Sequence, residues 1–346
     1  MKYLYGLDDE EMQALVKAEG LPSYRAGQLL SWIYEKHIQN WDQASNLSAD
    51  LRRALAEKYA LHALEPAEEK DSAAGESVKY LFRTHDGRLL ESVLISQQGR
   101  ETVCVSTQLG CKIGCTFCAS GKGKFGRNLT AGEIVEQVAR VAQRTGRRVS
   151  NIVFMGMGEP LDNFEATMKA LKILQAPWGF NIGARRITVS TSGITPKIVE
   201  FVKRSEGRVR LSVSLHSSQE AKRTELVPIN KKYSLKELAE TLRNIHHKLK
   251  RDITFEYTLI DGVNDSADEA RGVARLAAPL KAKVNIIPYN PIREMEYQTP
   301  SAAKVEIFRS ILEKHGVRVI VRQTAGRDIN AACGQLRLDR ETNSKL

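Results

Sequence analysis

Cysteine is scarce in this chain: five residues in 346, an odd number. So sparse and odd a set excludes the dense disulfide framework that holds small secreted domains together. No run of 18 apolar residues occurs, so no transmembrane helix is expected. The opening stretch MKYLYGLDDEEMQ is acidic and lacks the apolar centre of a secretory leader, and a reducing, cytoplasmic setting is the expectation. Neither an internal repeat nor a low-complexity tract interrupts the chain. In such a setting cysteine should serve metal or redox chemistry.

What is present has the composition of an ordinary soluble globular protein, 42% hydrophobic and 27% charged. The length suits two domains, or one barrel with additions. The net charge is +11, unevenly spread: residues 1–75 carry 8 Lys+Arg against 13 Asp+Glu, and the remainder 44 against 28. A basic body with an acidic appendage suits a polyanionic partner such as nucleic acid, although solubility alone is the plainer reading.

Residues 1–65 read as helices. LDDEEMQALVKAEG has apolar residues at helical spacing, SYRAGQLLSWIYEKHI repeats the pattern from a cap at Ser23, and SADLRRALAEKYAL gives a third. Residues 66–76 are small and polar and read as a linker. SVKYLFRT and RLLESVLIS, joined across Asp86-Gly87, predict a β-hairpin. From ETVCVSTQ onward strands alternate with helices, at 151–156, 186–193, 209–216, 253–260, 283–290 and 317–323, with helices such as 130–144 and 234–248 between them. That alternation predicts a parallel α/β sheet. Polar and Gly-rich segments follow the strands, so a βα barrel would gather them at one mouth. An open flavodoxin-like sheet is the competing architecture.

One of those segments is CKIGCTFCASGKGKFGRNL, with Cys111, Cys115 and Cys118 spaced C-x3-C-x2-C. Zinc with a distant His as fourth ligand is one reading, but no C-x2-C pair lies downstream to complete a ribbon. Three thiolates on a [4Fe–4S] cluster leave one iron without a protein ligand, a position S-adenosylmethionine (SAM) can take through its amino and carboxylate groups. The spacing, with Phe117 before the last cysteine, is the signature of radical-SAM enzymes. Other strand ends supply partners for SAM: Gly156, Gly158 and Glu159 in MGMGEP, Ser190 in STSG, Ser214-Leu215-His216 in SLH, and Asn290 in PYNP. Glu159 can accept from the SAM ammonium, and Asn290 can read the adenine edge. Cys104 and Cys333 remain, and two small buried hydrophobes are their bland reading.

CVSTQLGCKIGCTFC, FMGMGEPLDN, STSG, SLHSS, VPINKKY, GVND, NIIPYNP and DINAACGQL occur in that order and span nearly the whole chain. This resembles the RlmN/Cfr family of radical-SAM adenine methyltransferases. The resemblance implies a partial (βα)6 radical-SAM barrel over 101–346, a helical RNA-contacting domain over 1–65, and a linker and β-hairpin extension over 66–100. It implies a methyl relay that consumes two SAM per turnover. In that relay Cys333 becomes S-methylcysteine, Glu91 accepts the ring proton, and Cys104 resolves the covalent RNA intermediate through a transient Cys104–Cys333 disulfide. Implied partners are 23S rRNA, tRNA at the adenosine beside the anticodon, and an external electron donor of flavodoxin type; a monomer is expected. Pro160 in GEPLDN resembles the members that methylate adenine C2 rather than C8. Lys122, Lys124 and Arg127 beside the cysteine run suggest an RNA clamp, or simply a solvated loop. Two further readings stay open: a methylthiotransferase or maturase, which would need a second cluster, and a zinc-stabilised RNA-binding module.

Overall fold

Residues 2–97, 99–292, 295–322 and 326–336 are described in a computed structural model of the chain. The apolar runs after residue 100 become seven parallel strands, Arg100–Cys104, Asn151–Phe154, Ile187–Thr191, Arg210–Ser214, Thr254–Leu259, Lys283–Pro288 and Arg318–Val321. Helices such as Ala131–Thr145, Phe164–Gln175, Thr195–Arg204, Leu235–Ile245, Ala267–Ala277 and Ala302–Lys314 connect them. The strands lie in the sheet in the order they occur in the chain. A flavodoxin-like sheet reverses its order at a switch point, and this one does not. With the right-handed crossovers usual for parallel strands, unreversed order stacks successive helices on one face, which is barrel winding. The barrel is partial: Arg318–Val321 ends the sheet at one edge, and an antiparallel extension continues it at the other.

In that extension Ser77–Thr84 and Leu89–Gln97 form the expected hairpin, with Gly87 at φ 77° in its turn. The stretch read as a linker is different. Residues Leu64–Asp71 form an edge strand, antiparallel to Ser77–Thr84, with a bulge between Pro66 and Glu68. Only Leu64 in this strand is fully buried, so it shows no apolar alternation, and its partner strand supplies the pairing.

The first helices are Asp9–Ala18, Tyr24–Leu30 and Ala49–Lys58, the second continuing as a π-helical turn at Ser31–Glu35. Asp8 and Glu11 form a capping box on the first, and Ser48 caps the third. Ser23 does not cap the second: its backbone is already helical (φ −56°, ψ −34°) and its side chain makes no cap bond. Among the described residues no helix is long and apolar enough to cross a membrane.

Two contacts seat the helical segment on the barrel. Gly6 and Gly132 abut so closely that a Cβ on Gly132 would lie 2.3 Å from Tyr5 O. Beside them Glu136, wholly buried on helix Ala131–Thr145, accepts from Ala63 N (2.8 Å), Leu64 N (3.2 Å) and Arg140 Nε (3.2 Å) and pairs with His62 Nδ1 (3.0 Å). Removing the carboxylate leaves two buried amides and the Arg140 Nε without their acceptor, although Arg140 Nη2 still donates to Leu64 O. Glu136→Ala should therefore lower unfolding free energy by about 3 kcal/mol. Guanidinium titration checks this, and a loss below about 1 kcal/mol would show that the junction depends on something else.

Candidate active site

The strand Arg100–Cys104 runs through Gln108–Leu109 into the loop that carries Cys111, Cys115 and Cys118. All three thiols line one cavity at the C-terminal ends of the parallel strands. Gly156, Gly158, Glu159, Pro160, Ser190, Ser214, His216 and Cys333 line the same cavity. Ile113 and Phe117 of the cysteine loop pack with Leu226, Val227, Ile260 and Tyr289, an apolar cluster around the three cysteines. Burial pushes the Cys111 thiol up to about 12 and raises Cys115 and Cys118 as well.

Among the described residues no group of three His, Cys, Asp or Glu side chains is arranged to hold a single metal ion. Each thiolate of a cubane binds a different iron, so cluster ligands stand farther apart than three ligands of one zinc. The donor set, three thiols on one loop facing a cavity that also carries Glu159, Ser190 and Ser214, fits a cluster with one corner open to a small ligand.

Gly158, at φ 100°, lies against Gln108: a Cβ there would meet the Gln108 amide nitrogen at 2.8 Å. Gly156 lies equally close to Val105 O, at 2.7 Å from such a Cβ. These glycines thus let two strand-end loops meet. Gln108 in turn accepts from Glu159 N (2.9 Å) and fixes that residue's backbone. The Glu159 carboxylate is buried and accepts from Ser192 N and Oγ (2.7 Å each) and Leu161 N (3.0 Å). Burial raises its pKa, and those donors pull it back down.

His216 is buried with left-handed backbone (φ 56°), an uncommon conformation for a residue with a side chain. Its Nδ1 accepts from Thr258 N (2.9 Å), and its ring meets Phe117 edge-on at 4.5 Å between centroids. Burial, with Arg223 nearby, lowers its pKa to about 3, so it is a neutral ring beside the cysteine loop. Leu215 differs from its neighbours. Its side chain joins the hydrophobic core, and its backbone N and O are already bonded to Glu256 O and Arg223 Nε.

Cys333 reaches the cavity because its loop is clamped to the cysteine loop. Ala119 N donates to Gly334 O (2.8 Å), and Ser120 Oγ donates to Leu336 O (2.6 Å). Asn290 belongs to this clamp and is not among the residues lining the cavity. Its Nδ2 donates to Cys333 O (3.2 Å), and its Oδ1 accepts from Arg327 Nε (3.2 Å). Cys104 packs with Val93, Met157, Ala331 and Leu336, behind the Cys333 loop. Its thiol is pushed up to about 12 by burial and by Cys333, and both cysteines are free.

Glu91 is buried on Leu89–Gln97, paired with Lys79 Nζ at 3.0 Å. Lys79 also reaches Asn330 O in the Cys333 loop, at 3.5 Å. The sequence reading missed Lys79, yet the hairpin register sets Leu81 opposite Glu91 and Val93 opposite Lys79, which makes the pair diagonal neighbours on one face. It missed Gln108 too, for which spacing offers no signal. Of the suggested clamp, Lys122 and Lys124 are exposed, whereas Arg127 is engaged by Asp86 (2.9 Å) and Glu133 (2.6 Å).

Comparison with known proteins agrees with this geometry. Residues 105–273 match the radical SAM superfamily, and residues 3–61 match the ribosomal RNA large subunit methyltransferase N-terminal domain. A probable dual-specificity RNA methyltransferase RlmN from Thermotoga neapolitana is 42% identical over 99% of this chain and 100% of its own. One of the same name from Geobacillus kaustophilus is 44% identical over 96% of this chain and 92% of its own. A crystal structure of a radical SAM methyltransferase from Sphaerobacter thermophilus superposes with TM-score 0.92 at 45% identity, covering 97% of this chain and 99% of that one. The chain belongs to the RlmN family of radical-SAM methyltransferases.

Proposed function

We propose that this protein methylates C2 of an adenosine in 23S rRNA, and of the adenosine beside the anticodon in tRNA, through a methylated Cys333 and a covalent RNA intermediate. One observation carries the reading: Cys333 opens into the cavity that holds Cys111, Cys115 and Cys118, while Cys104 packs against the same loop from behind. A radical generated at the cluster loop would meet the Cys333 sulfur substituent inside one cavity, and a second thiol stands ready on its other side.

Cys111, Cys115 and Cys118 would hold the [4Fe–4S] cluster, and Glu159, Ser190, Ser214 and the backbone at 158–159 and 214–216 would hold SAM. The cluster, when bound, supplies the electron that cleaves SAM; an external donor such as a flavodoxin-type protein would supply it in turn. Cys333 accepts a methyl group from a first SAM as a thiolate. Hydrogen abstraction from that group, at the expense of a second SAM, creates the carbon that bonds adenine C2. Glu91 would accept the ring proton that addition leaves behind, and the adduct's one unpaired electron would have to leave with it, back to the oxidised cluster, so that a closed-shell thioether links Cys333 to the base. The Cys104 thiolate then attacks the Cys333 sulfur. The carbon–sulfur bond breaks and its electron pair stays with the departing methylene carbon, which takes a proton to become the methyl group. A Cys104–Cys333 disulfide remains and needs two electrons from outside, which suits a cytoplasmic monomer in a reducing compartment. Pro160, which lies on the cavity wall, is the residue by which the family resemblance favours C2 over C8. The basic body supplies phosphate contacts that position RNA without reading it, with the base turned out of its stack.

Each cluster cysteine should be indispensable for iron. Cys111→Ala protein should lose most of its iron and brown colour, whereas Cys104→Ala and Cys333→Ala should keep both. Full iron and SAM cleavage in Cys111→Ala would defeat the ligand assignment.

The relay separates the other two thiols. Cys104→Ala should accumulate a protein–RNA adduct on a denaturing gel, because nothing expels the product. Cys333→Ala and the double variant should show none. An adduct in the double variant would mean that another residue carries the methyl group. Glu91→Gln should also stall after addition and lower turnover by at least about a hundredfold, the scale of a lost general base.

A further inference from the structure

The short helix Glu220–Leu226, which follows strand Arg210–Ser214, carries Arg223 with no exposed surface. A guanidinium in the interior is unfavourable unless its donors are engaged. Here Nη2 donates to Ser192 O (2.7 Å) and Ser214 O (3.1 Å), Nε to Leu215 O (3.2 Å), and Nη1 to Asn230 Oδ1 (2.5 Å). Asn230 is itself fixed, donating to Glu220 Oε1 (2.5 Å) and Thr224 Oγ1 (2.7 Å).

These acceptors are not scattered. Ser192 lies just after strand Ile187–Thr191, and Ser214 and Leu215 at the end of the next strand. Past a strand end the sheet ladder stops, and a buried carbonyl there needs another donor. Ser192 also supplies two of the three donors that fix the Glu159 carboxylate, the third being Leu161 N. One planar cation therefore ties together the ends of two neighbouring strands directly, and the Glu159 loop after a third through Ser192; these segments carry Glu159, Ser190, Ser192, Ser214 and His216 around the cavity. A lysine is a single point charge on a flexible stem and cannot reproduce a fork with four acceptors.

We propose that Arg223 is a positioning residue for SAM: it does not touch the ligand, but it fixes two of the strand ends that do and, through Ser192, steadies the third. This rests on reading the cavity as the SAM site. The loops would have to be ordered on binding if the fork were lost, and affinity would fall accordingly.

The test uses full-length, cluster-reconstituted protein and SAM itself, with binding measured by equilibrium dialysis. Arg223→Lys should retain iron content and visible spectrum and bind SAM at least about tenfold more weakly, the scale of one lost charge-assisted hydrogen bond. Phe308→Ala, a core truncation away from the cavity, should lose thermal stability yet keep wild-type SAM affinity. Equal weakening in Phe308→Ala would show general loosening and overturn the proposal. Wild-type affinity in Arg223→Lys would overturn it directly. If Arg223→Lys does not fold, Asn230→Ala decides: weaker SAM binding supports the role, and unchanged binding overturns it. If the wild-type protein itself does not bind SAM, the reading of the cavity fails first, and the positioning role fails with it.

Discussion

The hydrogen bond from Ala119 N to Gly334 O, 2.8 Å long, holds the Cys333 loop against the loop of Cys111, Cys115 and Cys118. A second, from Ser120 Oγ to Leu336 O, joins residues 216 apart in sequence. Closing so long a loop carries an entropy cost that local contacts would not. The barrel offsets it, because the strand ends that carry the two loops lie at one mouth. Asn290 and Gln335 extend the clamp, through Cys333 O and Pro291 O. The account of Cys333 as a group that reacts beside the cysteine loop depends on this seam.

Burial shapes the chemistry around the seam. His216 is kept neutral, Glu159 is held by amide and hydroxyl donors, and the cysteine-loop thiols and Cys104 are pushed upward. Charge in this cavity is therefore concentrated on a few groups whose partners are fixed. Glu91 stands on the far side of the seam, beside Lys79, and Lys79 also reaches the Cys333 loop through Asn330 O. A single lysine thus connects the carboxylate assigned to proton transfer with the loop assigned to carbon transfer.

Much of this was legible in the sequence. The strands were read to within a few residues, because buried parallel strands are short apolar runs. The polar segments after them were correctly gathered to one mouth. The exceptions have separate physical causes. Residues 66–71 looked like a linker because an edge strand exposed on both faces carries no alternation. Ser23 looked like a cap, but the helix already includes it. Arg127 looked free for RNA, but Asp86, brought near by the hairpin turn, and Glu133, in the first turn of the helix that follows, both engage it. Asn290, read as an adenine contact by its place at a strand end, also donates to Cys333 O in the neighbouring loop, a bond its spacing gave no sign of. Such choices between a ligand and the chain's own backbone depend on distances that residue spacing does not encode.

The most direct measurement of the central claim is to incubate the cluster-loaded protein with reductant and SAM bearing a trideuterated methyl group, without RNA, and locate the label by peptide mass spectrometry. One labelled methyl on Cys333, and none on Cys104, is the predicted result. Label on another residue, or none on a protein that still cleaves SAM, would contradict it.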